Sequence, residues 1–123
     1  MDAFAAEQLT IDALRERGVL VSADEGSHDR GWDFRIDPGA TLVDVKYRAL
    51  VDLDAARRLV SDHRSRGREQ GSSSQAGPVL LAVGDRITEE ARRLLDDHGA
   101  GYYDLRGHIA FRSKHVLIDL EVK

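Results

Sequence analysis

A chain of 123 residues that is 41% hydrophobic and 33% charged has the size and composition of one soluble globular domain with a real core. Its net charge of −4 excludes a uniformly basic nucleic-acid coat but not a local basic patch, and the absence of cysteine excludes disulfides and thiolate metal sites. The longest wholly apolar run, Val79 to Val83, is far too short to span a bilayer, and a start carrying Asp2 and Glu7 lacks the pattern of a secretory signal, so the expectation is a cytoplasmic protein without a membrane partner.

In chain order, residues from about Phe4 to Arg17 read as an amphipathic helix stopped by Gly18. Phe4, Ile11 and Leu14 fall on one stripe, and Glu7 falls on it too, so one carboxylate points towards the core side. It either reaches water at the edge of the stripe or approaches the acids described next. Val19-Leu20-Val21 is a short strand, and the stretch from Ser22 to Arg30 is polar and turn-rich.

The stretch from Gly31 to Tyr47 then reads as two strands joined at Pro38-Gly39, because apolar and polar residues alternate on both sides of that turn. Counting outwards from it, Asp37 faces Ala40, Arg35 faces Leu42, and Asp33 faces Asp44, with Lys46 two places on along the same face. The other face collects Trp32, Phe34, Ile36, Val43, Val45 and Tyr47, an unbroken apolar set that has to be buried. Two opposed carboxylates repel each other unless something neutralises them, and a divalent cation beside a lysine does so in a way that could activate a water or stabilise charge on phosphorus. The same residues also suit a solvated strand face with cross-strand ion pairs, and the spacing by itself weights the two readings equally.

A second helix is expected from Leu53 to about Arg66, capped by Asp52, with Leu53, Ala56 and Val60 on one face. It carries the one dense basic tract, Arg57, Arg58, His63, Arg64, Arg66 and Arg68. This tract suits either a nucleic-acid backbone or water at the C-terminal end of the helix dipole. Gly71 to Gln75 should be a loop, and Val79 to Val83 a strand buried on both faces. Thr88-Glu89-Glu90 starts a third helix ending near His98-Gly99, with Ala91, Leu94 and Leu95 on its buried side. Three strand-like segments close the chain, 101–105, 108–112 and 115–122, with turns at Arg106-Gly107 and Ser113-Lys114. Tyr103, Asp104 and His108 form a polar cluster there, either a second functional surface or simply a turn. The five histidines show no zinc-type spacing, and the serines lack a nucleophile-elbow context. Arginine outnumbers lysine fifteen to three, which goes with GC-rich bacterial coding.

A helix between the third and fourth strands implies a crossover and a parallel pairing, so the fold class is α/β, a mixed β-sheet flanked by helices. The order αβββαβ, with Asp33 on the second strand and Asp44-Val45-Lys46 on the third, resembles the PD-(D/E)xK, or restriction-endonuclease-like, superfamily. The resemblance implies a single such domain over 1–123, with additional C-terminal strands. It also implies that Asp33, Asp44 and the Val45 carbonyl hold Mg²⁺ or Mn²⁺, that Lys46 assists the attacking water, and that Glu7 of the first helix joins the catalytic group. Trp32 stands where the family often has proline. The second acid is Asp rather than the more frequent Glu, one methylene shorter. The function so implied is metal-dependent hydrolysis of phosphodiester bonds in DNA, with Arg57, Arg58, Arg64, Arg66 and Arg68 positioning the backbone. The alternative is an inactive nuclease-like domain serving as a DNA-binding or regulatory module. A domain this small that cuts both strands would act as a homodimer, and a protein partner could supply specificity.

Overall fold

A computed structural model describes residues 2–23, 32–37, 41–69, 78–112 and 117–121, apart from the side chains of 66–69. The turns expected at Pro38-Gly39 and Ser113-Lys114 and the loop from Gly71 to Gln75 lie outside the described residues. Helix α1 (Ala3–Glu16) begins where the Asp2 carboxylate accepts the Ala5 N–H at 2.7 Å, and it ends before Gly18, whose φ of 84° suits glycine. Strands β1 (Leu20–Ser22), β2 (Phe34–Asp37) and β3 (Thr41–Val51) follow, then helix α2 (Leu53–Glu69) and strand β4 (Val79–Ile87). Helix α3 (Glu89–Asp97) leads to β5 (Gly101–Asp104), β6 (His108–Arg112) and β7 (Leu117–Glu121). The elements up to β4 have the expected order αβββαβ, and the class is the expected mixed sheet flanked by helices.

The seven strands lie side by side in sequence order. Neighbours are antiparallel from β1 to β3, parallel from β3 to β5, and antiparallel again to β7. Each parallel step needs a crossover, and α2 and α3 supply them. Both pack on one face, where Ala56, Leu59, Val60, Ala91 and Leu95 meet Leu80 and Ala82. On the other face Ala6, Ile11 and Leu14 of α1 meet Phe34, Ile36, Val43, Val45, Leu81 and Val83. Strand β4 is therefore buried on both sides, as its continuous apolar run predicts, and it runs on past Val83 to Ile87.

Flat, seven strands at a spacing of about 4.8 Å would span roughly 29 Å. Yet Arg15 donates to the Val21 carbonyl on edge strand β1 at 2.9 Å, while Arg17 donates to the Glu121 carbonyl on the opposite edge, β7, at 2.8 Å. Two arginines at the end of one helix reach both edges, so the sheet curls around α1. Consistently, Tyr103, Ile109, Phe111 and Ile118 from the last three strands join the cluster that holds α1.

One expectation about α1 fails. Phe4 is 64% exposed, because the buried residues Ala6, Glu7, Thr10, Ile11, Ala13 and Leu14 define an arc that leaves Phe4 just outside it at about 100° per residue. Among the described residues no helix is long and apolar enough to cross a membrane.

Candidate active site on the third strand

The hairpin register is the one expected from counting. Phe34 pairs with Val43, Arg35 with Leu42 and Ile36 with Thr41. Phe34, Ile36, Val43 and Val45 are buried against α1, with Trp32 and Tyr47 half-buried. One residue before Phe34 the pattern changes. The Asp33 N–H donates to the Val43 carbonyl at 2.7 Å, and the Asp33 carboxylate accepts the Val45 N–H through Oδ2 at 2.6 Å. Asp33 thus places a side-chain oxygen where a continuing β2 would place a backbone carbonyl, and its carboxylate sits at the edge of β3. The backbone N–H and C=O of one strand residue point to the same side, so the Val45 carbonyl is directed to the Asp33 side as well.

Asp44 and Lys46 lie on the face opposite Val43 and Val45, under α2. Asp44 is only 5% exposed. A carboxylate this buried needs partners. Lys46 Nζ is 3.3 Å from Oδ1, and His63 Nδ1 is 3.2 Å from Oδ2. The far side of the same imidazole donates from Nε2 to the Pro78 carbonyl at 2.7 Å. Both ring nitrogens face oxygen atoms, Nδ1 that of Asp44 and Nε2 that of Pro78. Sequence reasoning placed His63 only in the basic tract and missed this role. The signal was its position four and three residues after Leu59 and Val60, on the buried stripe of α2.

Glu7 is also 5% exposed, but it sits on α1 and so approaches the sheet from the Val43 and Val45 face. The structure brings Asp44, Lys46 and His63 together on one face, puts Asp33 at the strand edge, and leaves Glu7 on the other side of β3. Among the described residues no three Asp, Glu, His or Cys side chains converge as a metal-binding group. The donors at hand for a cation are the Asp33 and Asp44 carboxylates and the Val45 carbonyl. These are hard oxygens of the kind that suits Mg²⁺ or Mn²⁺, with waters completing the shell.

Arg57, Arg58 and Arg64 are exposed on α2, and the side chains of Arg66 and Arg68 lie outside the described residues. Arg64 Nη2 is 2.9 Å from His98 Nδ1 on the next helix's C-cap. Arg57, Arg64 and His98 border a cavity of about 310 Å³ between α2 and α3, floored by Val60 and Leu94. His63, Arg64 and Pro78 line a neighbouring one of about 170 Å³.

The C-terminal cluster divides. Tyr103 is buried in the α1 cluster. Asp104, 2% exposed, accepts the Arg106 N–H at 2.8 Å through Oδ1, and the Arg92 guanidinium at 2.8 Å and the Ile87 N–H at 3.1 Å through Oδ2. Burial alone would raise its pKa, but these donors outweigh that and hold the carboxyl below the ordinary value. With Gly107 N–H donating to its carbonyl, Asp104 makes the turn and ties β5 to the end of β4. His108 stacks on Tyr102 at 5.8 Å and meets Asp119 at 2.9 Å.

No protein-family model matches the chain, and no curated protein sequence matches it. Among solved structures, the apo form of EndoMS is similar in part, with a TM-score of 0.43 and 25% identity over 58% of this chain. The match spans 32% of the EndoMS chain, about a third of its length.

Proposed function

We propose that this chain is a metal-dependent endonuclease that hydrolyses phosphodiester bonds in DNA, with residues 1–123 acting as one restriction-endonuclease-like domain. The observation that carries the reading is the buried Asp44 with Lys46 on the same strand face, 3.3 Å apart, beside an Asp33 carboxylate anchored on the Val45 N–H. Asp33, Asp44 and the Val45 carbonyl would hold Mg²⁺ or Mn²⁺. When bound, such an ion supplies Lewis acidity towards a phosphoryl oxygen and makes water a better nucleophile near neutral pH.

The chain's own groups do the rest. Asp33 accepts the Val45 N–H, which holds its carboxylate at the edge of β3. Lys46 presents an ammonium that orients a water or stabilises charge developing on phosphorus. Arg57, Arg58 and Arg64, with Arg66 and Arg68 by their place in the tract, neutralise backbone phosphates and set the strand's position without reading its sequence. Glu7, buried on α1, is given no part in this step. Two copies would be needed to cut both strands, and a protein partner could add specificity.

One observation favours a second reading, a DNA-binding or regulatory module without turnover. Asp44 Oδ1, the oxygen left for a metal ion, already has the Lys46 amine 3.3 Å away, which competes with such an ion. Cleavage of supercoiled plasmid and branched DNA with Mg²⁺ or Mn²⁺ separates the two. The wild type should cut, and Asp44→Asn and Lys46→Ala should each lose about a hundredfold or more. A wild type that cuts none of these substrates, or variants that cut equally well, would end the enzymatic reading. A wild type that binds DNA without cutting it, with binding that survives Asp44→Asn, would establish the module.

A further inference from the structure

We propose that His63 is the positioning residue of this site: it holds the Asp44 carboxylate in the orientation that receives a divalent ion, and so sets the site's metal affinity. The inference rests on the nuclease reading above. One imidazole joins three elements, since it stands on α2, donates from Nε2 to the Pro78 carbonyl at the start of β4, and meets Asp44 Oδ2 of β3 through Nδ1 at 3.2 Å. The Pro78 carbonyl can only accept, so the 2.7 Å bond fixes which way the ring is turned and aims Nδ1 at the carboxylate. Oδ2 is thereby pinned, and Oδ1 is left on the Lys46 side, 3.3 Å from Nζ.

Such fixing matters more for Asp44 than it would for a glutamate. An aspartate has one fewer methylene with which to search for an ion, so its backbone position and two side-chain torsions, against three in glutamate, decide where its oxygens lie. Hydrogen-bond partners behind a ligand typically account for ten- to hundredfold in metal affinity or activity. The ring is placed to act through Asp44 and not on DNA, because it is only 26% exposed and lies between the helix and the sheet.

The test compares three variants in the whole chain by Mn²⁺ titration without DNA, followed by calorimetry or electron paramagnetic resonance. His63→Gln can keep a donor towards Pro78 while losing the one towards Asp44. His63→Asn places an amide nitrogen where Nδ1 stands, and His63→Phe removes both. Expected are a ten- to hundredfold loss of Mn²⁺ affinity in His63→Gln and His63→Phe, recovery of most of it in His63→Asn, and unfolding of His63→Gln at close to the wild-type temperature. In cleavage, kcat should fall while KM for DNA holds. Equal Mn²⁺ affinity in wild type and His63→Gln overturns the positioning role and leaves the nuclease reading standing. A loss in His63→Asn as large as in His63→Phe also overturns it. A wild type that binds no Mn²⁺ overturns both.

Discussion

At the scale of single residues, the described carboxylates divide by what faces them. Asp44 meets two side chains that carry or can carry positive charge, while Asp104 meets two backbone N–H groups and a guanidinium. Asp104's carboxyl is held below its ordinary value of 3.8, so the folded chain binds that proton less well than the unfolded chain. Stability from this group is therefore fully present above that value and is lost as pH falls through the lower folded pKa. Urea unfolding of wild type and Asp104→Asn at a series of pH values between about 6 and 2 should show the wild type's advantage shrinking towards the acid end. A gap between the two that is independent of pH would contradict this account.

At the scale of elements, boundaries follow local chemistry. Thr88 caps α3 by accepting the Ala91 N–H through its hydroxyl oxygen at 3.2 Å, and Asp52 caps α2 by accepting the Ala55 N–H through a carboxylate oxygen at 2.9 Å. Strand β5 depends on a different property, the lack of a side chain at Gly101. A Cβ there would sit 2.7 Å from a Phe111 ring carbon and 2.9 Å from the Ala110 carbonyl of β6, and a backbone atom has little freedom to withdraw. Gly101→Ala should cost about 1–3 kcal/mol, read as a lower denaturant midpoint with an unchanged m-value. Retention of wild-type stability would mean that β5 and β6 can separate more easily than their packing indicates.

At the scale of the whole molecule, β4 lies in the middle of the sheet with helices packed over both faces, and β1 and β7 form its edges. Hydrogen exchange should reflect that arrangement. Amides of β4 and the adjoining part of β3 should exchange slowest, near the global unfolding limit, and those of β1 and β7 fastest. The curl brings both edges within reach of Arg15 and Arg17 on the α1 face, and Asp44, Lys46 and His63 meet on the α2 face of β3. If β7 amides proved as protected as those of β4, the edge would have to be covered by something further.

The sequence by itself determined what depends on period and local caps. Alternation around Pro38-Gly39 settled the β2 and β3 register, a continuous apolar run marked β4 as buried, and Thr88 and Asp52 marked two helix starts. It also put Asp44 and Lys46 on one face, because a period of two is a property of the strand itself. The tertiary structure decided what depends on which element covers which face. Nothing local states that α1 covers the Val43 and Val45 side while α2 covers the other, so the separation of Glu7 from Asp44 was not legible. The same holds for the pairing of His63 with Asp44. Periodicity puts His63 on the buried stripe of α2, but only the β3–α2–β4 crossover fixes which strand residue it meets.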